Sequence, residues 1–323
     1  MTSQRTLGSS DITVSTVGVG CNAFGTRIDA AQTNAVVDAA FEHGITFFDT
    51  ADTYGTGQSE LLLGEALKGR RDEAVIATKF GMDMQGVNGD DGGRRGAPAY
   101  VRTAAEASLK RLGTDHIDLY QLHTPDPSTP IEDTLGAMTE LVKEGKVRAI
   151  GSSNLQAWQA VDADWISRTK GLERFVTAQN EYSLYNRTAE TELVPACLGL
   201  GVGVLPYFPL AYGLLTGKYR RGQDAPAGTR LAVQSDRLAT ADWDRIEALE
   251  AFAQARGISV LDLAIGGLAA QPAVSSVIAG ATKPEQIAAN AAAGQWTPTA
   301  EDLDELSEIG RPAQSYTTFA PRR

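Results

Sequence analysis

The stretch TFFDTADTYGTGQSELLLGEALKG, residues 46–69, contains one complete strand–helix unit. Its first six residues are mostly aromatic, β-branched or small, which is typical of a short buried strand. From Ser59 onward, apolar residues recur at helical spacing, and Gly69 stands where a helix commonly stops. Between the two halves lie Asp49, Asp52 and Tyr54, which are unusual residues for the end of a buried strand. The stretch therefore predicts a β/α repeat with polar groups at the carboxyl end of its strand.

The same alternation between short strand-like runs and longer runs with helical spacing continues along the chain. Seven further short runs rich in β-branched residues predict strands: residues 13–20, 74–80, 116–123, 147–154, 175–183, 203–210 and 274–281. Longer segments with helical spacing lie between them, and several end on Gly: residues 30–44, 100–113 and 131–145. Near-continuous apolar strands covered by amphipathic helices favour a parallel sheet. Eight such units favour a closed α/β barrel, the (β/α)8 TIM barrel, over a doubly wound open sheet.

An N-terminal hairpin and two long connections complete the expected architecture. Residues 5–14 predict a small β-hairpin around a Gly-Ser-Ser-Asp turn, placed to close the barrel floor. The connections 81–99 and 211–240 are too long for simple turns and follow strands, so they would lie at the face where such barrels build their sites. No domain boundary is visible, and we expect residues 1–323 to form a single barrel domain.

Composition limits the classes of function. The formal net charge of −11 argues against broad binding to nucleic acid or to an anionic membrane. The two cysteines, Cys21 and Cys197, are far apart and outside any CxxC pattern, so neither a disulfide framework nor a zinc site is expected. There is no visible signal peptide and no apolar run approaching about 18 residues, so the sequence predicts a cytoplasmic protein without a metal.

Lys79 is the sharpest anomaly, because it lies inside the predicted strand AVIATKF. An isolated buried ammonium is costly, so we expect it to pair with Asp49 at the end of the neighbouring strand, roughly 4.8 Å away. Tyr54 follows that strand, and His123 ends the next one. Each residue alone has an ordinary structural interpretation, such as a solvated lysine, a helix cap or a packed ring. Together, at the ends of three successive strands, they favour a functional site.

These four residues predict a proton-transfer site. A tyrosine has an ordinary pKa of about 10, which is too high for efficient proton exchange near neutrality. A neighbouring ammonium stabilises the phenolate, so we expect Lys79 to lower the pKa of Tyr54. Asp49 would keep Lys79 charged and oriented. His123, as a hydrogen-bond donor, would orient and polarise a substrate carbonyl.

Seven motifs together resemble the aldo-keto reductase superfamily: FFDTADTYG, ATKF, DLYQLHTPDP, GSSN, AQNEYSL, LPYFPLAYGLLTGKY and VIAGATKPEQIAAN. They occur in the family's order and span nearly the whole chain. The resemblance implies a TIM barrel that binds a nicotinamide dinucleotide, usually NADPH, without a Rossmann domain. It implies reversible reduction of an aldehyde or ketone, with Tyr54 as general acid/base assisted by Asp49, Lys79 and His123.

The resemblance also implies which residues hold the cofactor, from its carboxamide to its adenosine phosphate: Ser153, Asn154, Gln179, Tyr207, the segment from Leu210 to Lys218, Gly280, Thr282, Gln286 and Asn290. The first three contact the carboxamide, Tyr207 stacks on the nicotinamide ring, the segment covers the pyrophosphate, and the last four bind the adenosine phosphate. Many members carry an arginine or lysine at the position of Gly280 or Thr282, whereas this chain has Lys283 next to them. NADP(H) is therefore the expected cofactor and NAD(H) the alternative.

Substrate specificity is expected in the loops 21–28, 81–99 and 211–240 and in the tail 315–323, with Phe24 as a wall of the substrate pocket. We expect Asp52 and Glu60 to serve only the turn and the following helix, and Cys21 to be a small packed hydrophobe. The expected partner is a small-molecule carbonyl compound, and the oligomeric state is open.

Two alternative functions remain at this point. The first is a nicotinamide-binding, redox-sensing regulatory subunit with little turnover, like the channel-associated members of the superfamily. The second is a metal-free lyase or isomerase that uses Lys79 as a Schiff-base amine. A short-chain dehydrogenase is disfavoured, because neither its YxxxK pair nor its glycine fingerprint occurs.

Overall fold

The computed structural model of the protein describes residues 2–312, so the tail 315–323 lies outside the described residues. Two short antiparallel strands, β1 (Gln4–Thr6) and β2 (Thr13–Ser15), form the expected N-terminal hairpin. Eight parallel strands follow: β3 (Val17–Gly20), β4 (Phe47–Asp49), β5 (Val75–Phe80), β6 (Ile117–Leu122), β7 (Val147–Ser153), β8 (Phe175–Glu181), β9 (Gly203–Tyr207) and β10 (Val277–Gly280). Strands β3 to β9 pair in chain order, and β10 pairs with β3.

The sheet closes between β9 and β10 near the start of β9. A parallel bridge joins Val204 to Val274, with the Val204 amide donating to the carbonyl of Ala273 at 2.7 Å and the Ser275 amide donating to Val204 at 3.0 Å. The predicted (β/α)8 barrel is confirmed. The predicted strand 13–20 is divided, because Thr13–Ser15 pairs with β1 whereas Val17–Gly20 joins the barrel.

Helices lie between the strands, on the outside of the barrel: α1 (Ala30–Glu42), α2 (Gln58–Ala66), α3 (Pro98–Leu112), α4 (Ile131–Lys143), α5 (Ala157–Lys170), α6 (Leu193–Leu200), α7 (Arg230–Val233), α8 (Ser235–Ala239), α9 (Trp243–Ala255), α10 (Val260–Asp262), α11 (Pro284–Ala293) and α12 (Ala300–Glu308). A π turn over Leu263–Gly267 continues α10. The long connection 211–240 is partly ordered, because a 3-10 turn over Ala211–Thr216 and the helices α7 and α8 lie within it. Within residues 2–312, no helix is long and apolar enough to cross a membrane.

The hairpin closes the barrel floor, as expected. Its apolar residues pack with inward-facing strand residues in a floor cluster: Leu7, Ile12, Val14, Phe47, Ala77, Leu119, Ala149, Leu205 and Ile278. Burial of this apolar surface stabilises the floor end of the barrel.

Successive side chains of a strand point to opposite faces, so every second residue above the floor cluster faces the inside of the barrel. In β4, Phe47 belongs to the floor cluster, Phe48 faces the helices, and Asp49 again faces inward. In β5 the same alternation places Lys79 two residues above Ala77. Polar side chains therefore form a layer at the rim, the carboxyl ends of the barrel strands.

Candidate active site

The centre of the rim is a buried ion pair between Lys79 and Asp49. The Lys79 ammonium donates to Asp49 Oδ2 at 2.7 Å and to the carbonyl of Thr50 at 2.8 Å. Gln179 and Gln121 donate their amides to the other carboxylate oxygen of Asp49, at 2.8 and 3.2 Å. Burial alone opposes the charged form of Lys79, but the Asp49 carboxylate and the hydrogen bonds to Asp49 and Tyr54 outweigh it and raise the pKa of Lys79. The ammonium is therefore held charged and fixed in place.

Tyr54 lies over this pair, on the loop after β4. The Lys79 ammonium is 5.1 Å from the centroid of the Tyr54 ring. Burial raises the pKa of Tyr54 above its ordinary value, and the effect of Asp49 adds to it, while Lys79 lowers it. Lys79 thus acts on the pKa of Tyr54 in the expected direction, but burial outweighs its effect and the pKa lies above the ordinary value. At neutral pH the phenol keeps its proton.

His123 faces Tyr54 edge-on, with the ring centroids 6.0 Å apart. Burial and the positive charge of Lys79 lower the pKa of His123 to about 3, so the imidazole is neutral over the physiological range. Its Nδ1 is buried and has no hydrogen-bond partner.

A cavity of about 420 Å³ opens above these residues. Its walls include most of the residues that the sequence singled out: Asp49, Tyr54, His123, Ser153, Asn154, Gln179, Tyr207, Leu210, Gly280, Thr282 and Gln286. Lys79 lies directly beneath it, fully buried. The structure thus brings residues from all eight barrel strands or the loops that follow them to one concave surface. No group of His, Cys, Asp or Glu in residues 2–312 is arranged to hold a metal ion.

Three expected site residues lie elsewhere. Phe24, the predicted wall of the substrate pocket, is fully buried in the hydrophobic core and is not among the residues that line the cavity. Its loop makes a tight turn, with the Phe24 amide donating to Cys21 at 3.0 Å, and burial of the ring is favoured over exposure at the rim. Lys218 is exposed outside the cavity, and Asn290 is buried in α11.

Asn154 links two parts of the cavity wall. Its amide nitrogen donates to the carbonyl of His123 at 2.9 Å, and its oxygen accepts the Tyr207 hydroxyl at 2.8 Å. Asn154 holds a left-handed backbone conformation with φ 59°, which asparagine tolerates better than most residues. The neighbouring Ser153 hydroxyl donates to the carbonyl of Gln179 at 2.9 Å. The polar wall is therefore rigid before any ligand binds.

Several cavity residues were not singled out by the sequence: Asn22, Arg27, Met82, Phe208 and Arg230. Their only sequence signal is their location in or beside the loops expected to carry specificity. Phe208, Ala211 and Tyr212 all have positive φ, of 53°, 46° and 60°. Such backbone strain in bulky residues is concentrated at functional loops.

Asp52 lies in the turn after β4 and Glu60 in the first turn of α2, as expected, but both side chains also join a network that the sequence did not predict. Each is fully buried, outside the barrel wall. Arg111 joins them, because its guanidinium donates to Glu60 at 2.6 Å and to Asn88 at 2.8 Å, and Asn88 donates to Asp52 at 3.0 Å. Thr78, on the outer face of β5, donates to the second oxygen of Glu60 at 2.6 Å. We call these five residues the outer network.

Asp52 is incompletely paired within the outer network. Its Oδ1 is buried without a hydrogen-bond partner. Burial and the nearby Glu60 carboxylate raise the pKa of Asp52 to about 7, although Arg111 and Asn88 act in the opposite direction. Asp52 therefore titrates near neutral pH, unlike an ordinary carboxyl group.

Comparison with known proteins agrees with this geometry. A sequence model of the Aldo/keto reductase family matches residues 16–311. A solved structure, the aldo-keto reductase AKR11C1 from Bacillus halodurans in its holo form, superposes with a TM-score of 0.78 at 31% identity, covering 97% of this chain and 98% of that one.

The similar curated proteins include enzymes and channel subunits. The chain is 36% identical to the uncharacterized oxidoreductase YrpG of Bacillus subtilis over 94% of each chain. It is 42% identical to a probable aldo-keto reductase 1 of Glycine max, over 66% of this chain and 60% of that one. It is 33% identical to a probable voltage-gated potassium channel subunit beta of Oryza sativa, over 94% of this chain and 95% of that one. The chain belongs to the aldo-keto reductase family of oxidoreductases.

Proposed function

We propose that this protein is an NADPH-dependent reductase of small aldehydes or ketones, with NADH as the alternative cofactor. The observation that carries the proposal is the stack of Asp49, Lys79 and Tyr54 beneath one cavity, beside a neutral His123. A buried cation next to a protonated phenol is an arrangement suited to giving a proton to a developing alkoxide.

The residues that line the cavity are of the kinds that a nicotinamide dinucleotide needs. Tyr54 and His123 offer hydrogen-bond donors, and Tyr207 and Asn154 offer an aromatic ring and an amide. Thr282 and Gln286, near the start of α11, also line the cavity, and a helix N-terminus favours a phosphate. When bound, the nicotinamide cofactor would supply the hydride.

The chain's own residues would supply the proton and the alignment. Tyr54 gives its phenolic proton to the substrate oxygen, and the Lys79 ammonium stabilises the phenolate that remains. Asp49 keeps Lys79 charged and aimed. His123 Nδ1 has no partner, and an unpaired buried N–H is costly, so we assign the imidazole proton to Nε2, from which it can hydrogen-bond a carbonyl.

Substitution of Tyr54 by phenylalanine tests this function. We expect Tyr54→Phe to bind NADPH as the wild type does, by fluorescence titration, and to lose about 10²–10⁴-fold in kcat on an aldehyde panel. Tyr100→Phe is the matched control, because it removes a buried hydroxyl of α3 that does not line the cavity. Turnover like that of the wild type in Tyr54→Phe would sink the proposal.

A redox-sensing subunit is the second candidate, because one similar protein over nearly full length is described as a potassium channel subunit beta. Tight binding of NADPH together with no turnover across a broad panel of aldehydes and ketones would favour that role. The Schiff-base alternative is disfavoured, since the Lys79 amine is enclosed and held charged by Asp49, whereas a nucleophilic amine must be neutral.

A further inference from the structure

The outer face of helix α5 exposes two large aromatic rings to solvent. Trp158 is 63% exposed and Trp165 is 67% exposed. The other two tryptophans of the chain, Trp243 and Trp296, pack against the hydrophobic core instead. Val161 is exposed between the first pair, because residues at i, i+3 and i+7 share one side of a helix. A contiguous apolar patch of this kind is typical of an interaction surface.

Helix α6 is also apolar on its outer side. Its sequence, LVPACLGL, contains no charged side chain and no hydroxyl or amide group, although only Leu193, Val194 and Cys197 are buried. Pro195 and Leu198 are exposed. A surface helix ordinarily carries polar residues on the side that faces water, and α6 carries none. The outer side of α6 is therefore suited to contact with another apolar surface.

Arg174 fastens α5 to α6. Its guanidinium donates to the carboxylate of Asp164 in α5 and, at 2.7 Å, to the carbonyl of Leu200 at the end of α6. Val161 precedes Asp164 by three residues and lies on the same side of α5, which is the side next to α6. The exposed apolar residues of the two helices therefore form one surface, which we call the tryptophan face: Trp158, Val161, Trp165, Pro195 and Leu198.

The tryptophan face is separate from the cavity and differs from the rest of the surface. None of its residues lines the cavity, since α5 and α6 lie on the outside of the barrel. The other exposed large apolar residues within residues 2–312, Leu61, Val87 and Val233, lie on different elements. Such scattered residues need no explanation, whereas a clustered surface does.

The charged residues beside Trp165 are self-complementary under a two-fold rotation. Asp162 precedes Trp165 by three residues, Arg168 follows it by three, and both are exposed. When two copies of α5 run antiparallel about a two-fold axis at Trp165, Asp162 lies level with Arg168 of the partner subunit, and the reverse pair forms as well. Within residues 2–312, Arg168 bonds to Asp164 through Nε only, at 2.7 Å, so its two terminal nitrogens can bind a second carboxylate.

We propose that the tryptophan face is the contact surface of a homodimer, in which two α5 helices pack antiparallel about Trp165. Four indole rings, each about two-thirds exposed, cover roughly 400–650 Å² in such a contact. That is a substantial part of the approximately 1,600 Å² that a standard interface buries, with α6 adding to it. Tryptophans at the centre and charged residues at the rim are the usual arrangement of an interface.

A second copy of the chain fits this face better than a membrane surface does. The indole N–H of Trp158 already donates to the side chain of Gln156 at 2.8 Å, so its burial leaves no donor unpaired. Asp162 on the face and the net charge of −11 both oppose contact with an anionic bilayer. In the dimer, by contrast, the Asp162 carboxylate meets the guanidinium of the partner's Arg168.

Sedimentation equilibrium of the full chain between about 1 and 100 µM tests the dimer without any assay of activity. We expect the wild type to dimerise and Trp165→Ala to raise the dissociation constant by about 30-fold or more, as at the centre of an interface. Val233→Ser, at an exposed valine away from the tryptophan face, is the control and should dimerise normally. Circular dichroism should show the same fold in all three proteins, because both substituted side chains are exposed.

Charge reversal tests the antiparallel packing itself. Asp162→Arg and Arg168→Glu each place like charges together in the dimer, so we expect each to raise the dissociation constant by about 10-fold. The double variant exchanges the two charges and should restore most of the affinity. Asp164 keeps its bond to Arg174 in every variant.

Three results would overturn the proposal. The first is a wild type that stays monomeric at about 100 µM, which would leave the tryptophan face to a different partner. The second is a dissociation constant in Trp165→Ala within about twofold of the wild type, which would place the contact elsewhere. The third is a double charge variant that dimerises no better than either single variant. None of these results bears on the proposed reductase activity, which is tested at Tyr54.

Discussion

Asp49 and Asp52 are three residues apart, and both are buried, yet they lie on opposite sides of the barrel wall. Asp49 faces inward, where an ammonium and two amides donate to its oxygens. Asp52 faces the helices, where one amide donates to one oxygen and the other oxygen has no partner. Burial and the neighbouring Glu60 carboxylate raise the pKa of Asp52 to about 7. The difference shows that a buried carboxyl group without a directly bonded cation bears the full effect of its burial.

The largest expected effect comes from removing the cation beside Asp49. Lys79→Met leaves a buried carboxylate without its ion pair, so we expect a loss of about 3–5 kcal/mol in unfolding free energy. We also expect kcat to fall by at least about 10²-fold, because nothing then stabilises the Tyr54 phenolate. Denaturant unfolding and steady-state kinetics measure the two effects. Lys68→Met, at an exposed lysine with no assigned role, is the control and should change neither; equal losses in the two variants would contradict this account.

The next effect comes from removing the cation of the outer network. Arg111→Met leaves Glu60 buried without its partner, and we expect a loss of about 3–5 kcal/mol in unfolding free energy at pH 8. Arg102→Met is the control on the same helix, since its pair with Glu144 is solvent-exposed and contributes little to stability. A similar loss in both variants would mean that the burial of Arg111 contributes nothing.

A smaller effect of opposite sign is expected for Asp52→Asn. The folded-state pKa of Asp52, about 7, lies above the ordinary value of 3.8, so the folded protein binds this proton more tightly than the unfolded chain does. The stabilisation is present at acid pH and is lost as the pH rises through about 7. Asp52→Asn cannot ionise, so we expect it to be more stable than the wild type at pH 8 by roughly 2–4 kcal/mol. Urea unfolding at pH 8 and pH 4 should show the gain disappearing at the lower pH.

The comparison also shows what the sequence could predict. Side chains alternate between the two faces of a strand, so Phe47 and Asp49 face inward together, and so do Ala77 and Lys79. Neighbouring parallel strands also pair in a fixed register. The barrel and the meeting of Asp49 with Lys79 were therefore predictable from local pattern. No tertiary detail was needed for this pair, because β4 and β5 are consecutive in the chain and adjacent in the sheet.

The outer network could not be predicted in the same way. Asn88, in the connection after β5, donates to Asp52, which precedes it by 36 residues. Arg111, in α3, donates to Glu60, which precedes it by 51 residues. Phe24 likewise turned into the core, although its loop lies at the rim. Such contacts depend on how loops fold back over the barrel, and no repeating period encodes that.

The smallest expected effect is on catalysis in Asp52→Asn. The link between Asp52 and the site is a backbone one, in which its amide donates to the carbonyl of Lys79 at 3.1 Å, and the substitution preserves it. The side chain does not line the cavity, so kcat and KM at pH 6 and pH 8 should stay within about twofold of the wild type. A tenfold loss that appears only at one pH would instead show that the charge on Asp52 reaches Tyr54 through the turn between them. The two aspartates would then act on one site, although only one of them faces it.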